Sequence, residues 1–265
     1  MVAPSLRSAP RRALALAAVL AAACAPARQA VDLGPLVTDR PDFTESALTI
    51  PKGFSQLEVG TTVDQADGVR SVSAGETLLR SGVNEHVELR LTLANYAAQR
   101  DGTVTAQGFE DAGIGVKVAL FEGPDRASIV PTVAFIAGTS LPTGALSFRS
   151  RSALPEFKLL GAWTVSERIA FSSNLNWARA EDAIGTHDEW SGSASFGFSL
   201  AEKVGAYADY FAFGERSGTW QRREYVNGGV TYLLSDALQL DARYGVRTDA
   251  PSRANFVGIG LSRRF

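Results

Sequence analysis

The chain closes on Asn255-Phe256-Val257-Gly258-Ile259-Gly260-Leu261-Ser262-Arg263-Arg264-Phe265. Counting back by twos from Phe265 gives Arg263, Leu261, Ile259 and Val257. The positions between them are Arg264, Ser262, Gly260, Gly258 and Phe256. A period of two means a β-strand with two unlike faces, one mostly large and apolar, the other mostly small or polar. Lipid on one side and water on the other would select that pattern.

The same alternation recurs upstream. Val87, Leu89, Leu91 and Leu93 oppose Glu88, Arg90 and Thr92. Ile114, Val116, Val118 and Leu120 oppose Asp111, Gly113, Gly115 and Lys117. Trp190, Ala194, Phe196 and Phe198 oppose Ser191, Ser193, Ser195 and Ser199. Leu238, Leu240, Ala242, Tyr244 and Val246 oppose Gln239, Asp241, Arg243 and Arg247. Arg or Lys held in lipid at mid-depth costs about 2–4 kcal/mol, so the apolar faces are expected outward and the charges inward.

Twelve strands are expected, near 54–62, 70–80, 86–96, 110–121, 127–138, 154–164, 168–179, 188–199, 203–213, 223–233, 237–247 and 254–265. Short turns (near 81–84, 122–125, 166–167, 201–203 and 235–236) alternate with longer polar stretches at 63–69, 97–109, 139–153, 180–187, 214–222 and 248–253. That is the rhythm of an all-β, transmembrane, antiparallel up-and-down β-barrel in a bacterial outer membrane. A soluble β-sandwich is the competing reading, and it does not call for such alternation. Pro131 falls inside one expected strand, where it removes a ladder hydrogen bond. In 203–213 the facing is ambiguous, because Phe211 and Phe213 share parity with Asp209.

The N-terminus reads as a signal peptide over 1–27: Arg7, Arg11 and Arg12, then the apolar run Ala13 to Cys24, then Ala25-Pro26-Ala27. That run is too short to span a bilayer as a helix. Cys24, the only cysteine, sits where a lipidated cysteine would. The formal charge of −2 becomes −5 if these three Arg leave with no acid. That acidity, with no basic patch, excludes nucleic acid as a partner.

Residues 28–53 form a periplasmic or plug segment ahead of the barrel at 54–265. Within it, Asp39, Arg40, Asp42 and Glu45 are expected to pair with inward charges. The candidates for lining the lumen are Glu58, Glu76, Arg80, Glu88, Arg90, Asp111, Lys117, Glu156, Lys158, Asp209, Asp241 and Arg243. Their mixed signs argue against an ion-selective ring.

Enzyme readings find little support. Only His86 and His187 are present, there is no Gly-x-Ser-x-Gly, and two His without a paired Cys make no familiar zinc site. Asp241 with Glu224 is a conceivable acid–base pair that no spacing favours. No catalytic residue, metal or cofactor is expected.

Thr38-Asp39-Arg40-Pro41-Asp42-Phe43-Thr44-Glu45-Ser46-Ala47, then Ile50-Pro51-Lys52-Gly53, precedes the first strand. Leu78 to Arg90 and Ser140-Leu141-Pro142-Thr143-Gly144 follow. Together they resemble the family of outer-membrane proteins named for the meta-cleavage pathway of phenol degradation, labelled as transporters. The resemblance implies an exported barrel and uptake of small, aromatic molecules. The expected function is a narrow channel for passive uptake. A structural or adhesive barrel with an occluded lumen is the alternative, and an outer-membrane lipid hydrolase the outsider. Expected partners are membrane lipid, lipopolysaccharide near Phe148, Arg149 and Arg151, a small solute, and the barrel-assembly machinery reading the strand that ends in Phe265.

Overall fold

A computed structural model describes residues 33–265 except 67, 183, 218 and 250–253. The expected signal peptide and Cys24 lie outside the described residues. Among the described residues no helix is long and apolar enough to cross a membrane. The structure is instead one antiparallel sheet of strands β1 Ser55–Ala66, β2 Val69–Gly82, β3 Val87–Leu93, β4 Tyr96–Asp101, β5 Val104–Phe109, β6 Ala112–Phe121 and β7 Thr132–Leu141. It continues with β8 Leu154–Ser166, β9 Ile169–Glu181, β10 Thr186–Ala201, β11 Val204–Ser217, β12 Thr219–Ser235, β13 Leu238–Arg247 and β14 Asn255–Arg264.

These strands fill twelve positions round a closed barrel. β3 pairs with the Thr77–Gly82 half of β2 and β4 with the Val69–Ala74 half, so the two share one position. β5 and β6 share the next, against β4 and β3 respectively. β1 closes the sheet by pairing with both β2 and β14. The breaks line up: a register shift at Gly60/Thr61, Gly75 at φ 74°, then the β3–β4 and β5–β6 junctions. Bulges bend strands, and this row bends one corner of the wall at a common height.

Several expected loops are strand. Residues 63–69 and 97–109 are hairpins with tight turns at Gly68 (φ 85°) and Gly102 (φ 55°), and most of 214–222 continues β11 and β12. Past the lipid the outward face turns polar, so alternation fades while backbone pairing continues. The opposite error occurs at 122–131. This connection is longer than expected, and Pro131 precedes β7 instead of interrupting it. Proline has no N–H for the ladder, and Gly123 N donates to Thr132 Oγ1 where pairing begins. His187 belongs to β10, opposite Ala180, not to a loop.

Polarity is inverted relative to a soluble protein. Leu89 is 53 % exposed and Ile259 64 %, whereas Glu58, Arg80, Glu88 and Lys117 are each 0 % exposed. Phe135, Phe157 and Trp177 stack on the outer face at one height (centroids 6.0 and 5.5 Å apart). Trp163, Phe171 and Phe196 cluster at another (5.4 and 4.9 Å). Two aromatic bands with apolar residues between them match the interfacial girdles of a membrane barrel. Both ends of the barrel domain lie with the turns at 83–86, 167–168, 202–203 and 236–237, opposite the Gly68 and Gly102 hairpins, and the short-turn end is periplasmic in such barrels.

Candidate functional site

The segment before β1 lies within the barrel. It is bonded to strands all round the sheet, which no exterior position allows. On one side Asp39 N donates to Glu58 Oε2 (3.0 Å), and the Asp39 carboxylate accepts from Arg90 Nη1 (2.6 Å) and Lys117 Nζ (3.0 Å). Glu45 accepts from Arg90 Nη2 (2.9 Å) and Lys158 Nζ (2.6 Å). Arg80 grips Glu88 through Nε and Nη2, both at 3.0 Å, reaches Glu58, and donates to the backbone carbonyls of Val37 and Leu48. Lys117 also donates to Ser46 O (2.8 Å). Four cations (Arg80, Arg90, Lys117, Lys158) thus meet four carboxylates (Asp39, Glu45, Glu58, Glu88). The cations, Glu58 and Glu88 come from β1, β2, β3, β6 and β8, and the other two carboxylates from the segment. Such buried networks contribute little net stability but penalise any other arrangement.

On the other side the grip is looser. Phe43 N and Thr44 Oγ1 donate to Asp209 of β11 (2.9 and 2.8 Å), and Asn227 Nδ2 supports Asp209 from β12 (2.9 Å). Arg243 donates to Pro41 O (3.0 Å) and to Thr62 Oγ1 (2.7 Å). Arg40 lies flat on the seam between β1 and β14. Gly60 and Gly260 are direct partners there, and a Cβ on either would collide with its guanidinium. Arg40 reaches Glu76 (2.8 Å), Ile259 O (3.3 Å) and Asp241 (3.6 Å).

Burial acts on the segment's own acids. Burial tends to raise Asp39, but Arg80, Lys117 and Arg90 overcome it and hold the carboxyl well below its usual range. Glu45 is likewise raised by burial, then drawn down to about 2 by Lys158 and Arg90. Asp42 has no such partner. Burial, and then nearby Asp209, push it up to about 8 against a hydrogen bond from Ser195.

Three cavities adjoin the segment. One of about 410 Å³ toward the loop end is lined by Glu45, Arg90, Glu156, Lys158 and Asp111. A second of about 260 Å³ is lined by Phe43, Phe211, Phe213, Tyr225, Phe256 and Arg243. A third of about 780 Å³ lies against Ala47, Leu48, Lys52, His86 and Phe121. Asp111 also accepts from Gly144 N (2.8 Å) and Ser150 N (2.9 Å), which ties loop 142–153 to the wall. Arg151 of that loop is spent on Glu181, and Arg149 is exposed.

The inward aromatics are what sequence reasoning missed. Phe43 stacks on Phe211 (4.4 Å, 16°), which stacks on Tyr225 (5.0 Å, 12°), with Phe213 and Phe256 alongside. The signal was the shared parity of Asp209, Phe211 and Phe213. The pair Asp241–Glu224 does not form: Asp241 faces inward, while Glu224 accepts from Tyr210 OH (2.8 Å) among exposed groups. Among the described residues no cluster of three metal-ligating side chains occurs.

A closed twelve-position barrel with an apolar outer belt and a charged interior is an outer-membrane barrel of porin-like channel fold. The chain matches the family described as "Putative MetA-pathway of phenol degradation" over residues 38–265, and it belongs to that family. Among solved structures it is similar to the COG4313 outer membrane channel from Pseudomonas putida F1 (12% identity, 83% of this chain and 98% of that one, TM-score 0.63). It is also similar to the NanC porin (10% identity, 78% and 98%, TM-score 0.55). At these identities the likeness is one of fold. No curated protein matches the chain.

Proposed function

We propose that this protein is a narrow outer-membrane channel for passive uptake of small solutes, aromatic ones above all, with residues 35–52 as its plug. One observation carries the reading. Cavities flank a single short segment, and neighbouring residues face different ones: Glu45 lines the charged cavity and Ala47 the one opposite. Moving the segment would join them. The inward aromatic cluster and the phenol-pathway name of the family both favour aromatic solutes. Glu58, Glu88, Arg90, Lys117 and Lys158 then anchor the plug, Glu156 and Asp111 line the outer vestibule, and Asp209, Asp241 and Arg243 hold the far wall.

Lipid covers the outer belt. Lipopolysaccharide phosphates suit exposed Arg149 through its guanidinium. The assembly machinery would read β14 and the exposed ring of Phe265. No chemical step is assigned: His86 sits at the turn end and His187, beside Asp182, at the loop end. The test is conductance of the purified protein in planar bilayers, with and without residues 31–50. Small or rare steps that become large on deletion are expected. Unchanged conductance removes the plug, and silence from both proteins favours an occluded structural barrel, a reading that the four-by-four charge network also supports.

A further inference from the structure

Plugging uses the ring faces that meet Phe43 and leaves the cavity-facing flanks of Phe213, Tyr225 and Phe256 without a task. Rings flanking a water-filled bore expose apolar surface, which is unfavourable unless something covers it. Phe211 is buried, but Phe213, Tyr225 and Phe256 each keep a half-exposed flank on the cavity of about 260 Å³. That volume is near the lower limit for small-molecule sites, about 300 Å³, and admits one six-membered ring.

Polar groups narrow the class. Arg243 spends Nη1 and Nη2 on Pro41 and Thr62, while its buried Nε has no hydrogen-bond partner. A buried donor calls for an acceptor. The Arg243 guanidinium already lies 5.5 Å from the Phe256 centroid, and that of Arg223 5.6 Å from Phe213. An organic cation, the usual guest of an aromatic cage, would therefore meet positive charge. Asp64 on the cavity wall keeps a ligand's anionic end away from itself and toward Arg243.

We propose that this cavity is a capture site for a single aromatic ring bearing an oxygen acceptor, a carboxylate or a phenolic oxygen, with the oxygen on Arg243 Nε and the ring against Tyr225 and Phe256. The site rests on the channel reading and names the chemistry that waits above the plug. Phe43 is its floor, so a bound ring sits directly on the segment that must move.

The experiment is calorimetric titration of the mature protein in nanodiscs with benzoate, phenol, cyclohexanecarboxylate and benzyltrimethylammonium. Benzoate or phenol should bind about tenfold more tightly than cyclohexanecarboxylate, the scale of ring–ring contacts. Benzoate ahead of phenol makes the carboxylate the natural acceptor; phenol equal or ahead makes it the neutral oxygen. Arg243→Met, which removes the donor and keeps the bulk, should abolish the tight binding of benzoate and phenol, and Phe256→Leu the preference for an aromatic ring over a saturated one, so misfolding of one variant leaves the other. Equal binding of the saturated acid, tightest binding of the ammonium, or no binding by either aromatic would overturn the site. Loss of the site with conductance intact leaves the channel standing; ring binding by a silent barrel does the reverse.

Discussion

The two halves of the inner wall hold the same segment by different physics. β1, β2, β3, β6 and β8 present full charges at close range: Arg80, Arg90, Lys117 and Glu88 are all nearly or wholly buried. β11 to β14 present rings, amides and only scattered charges, Asp209, Asp241 and Arg243, and at the seam with β1 Arg40 is laid against Gly60 and Gly260. Charge pairs are unforgiving of displacement, because an unpaired ion in a dry interior is costly. Stacked rings and a glycine slot tolerate sliding. In the proposed plug the charged half is the expected anchor and the aromatic half the side expected to open.

The harshest way to break this contrast is Arg80→Met. It strands Glu58, Glu88 and Asp39, and chemical unfolding from lipid vesicles should show a loss of about 3–5 kcal/mol. Next come Gly60→Ala and Gly260→Ala. Either Cβ evicts Arg40, and channel open time should rise several-fold with little change in unfolding midpoint. Adding Arg40→Ala to either should give no further increase, the non-additivity expected of residues acting through one contact.

A third test is pH. The raised Asp42 carboxyl means that the seated segment favours the proton. Its contribution is full below the ordinary value of 3.8 and is lost as pH climbs through about 8. Glu45 is depressed, so its contribution is present above the ordinary 4.5 and lost as pH falls through about 2. Conductance should be lowest at about pH 4.5, climb as pH rises toward about 8 and level off above it, once Asp42 ionises beside Asp209 in the seated segment too; Asp42→Asn should flatten this rise and leave the acid limb unchanged. The smallest effect is Phe43→Leu, which keeps bulk and loses the stack. A change of about 0.5–1.5 kcal/mol in plug seating, read from the ratio of open to closed times, would place the ring contact on its usual scale.

How much of this was legible depended on which solvent each residue meets. Between the girdles, lipid outside and ions inside force the alternation that sets Leu89 and Leu91 against Glu88 and Arg90, so strand count and facing could be read. Beyond the girdles both faces meet water, and the β4–β5 hairpin looked like a loop. The aromatic half was hidden for another reason. Phe211 and Phe213 carry no polarity to mark them as inward, and a membrane barrel expects aromatics outside. Only their shared parity with Asp209 told otherwise. Asp39, Arg40 and Glu45 were conspicuous as charges, yet no spacing in the chain could name Lys117 or Lys158 as their partners, because those contacts are fixed by closure of the sheet.

The seam between β1 and β14, running from Gln56 opposite Arg264 to Gln65 opposite Asn255, joins residues from nearly opposite ends of the barrel sequence. The cylinder cannot zip shut until its last strand has arrived. A segment that adjoins β1 in the chain and also touches β11 and β13 must be resident before that moment, or else be threaded through an end afterwards. The architecture thereby leaves two routes of biogenesis: a container wrapped around its occupant, or an occupant drawn in through an open end once the seam has closed.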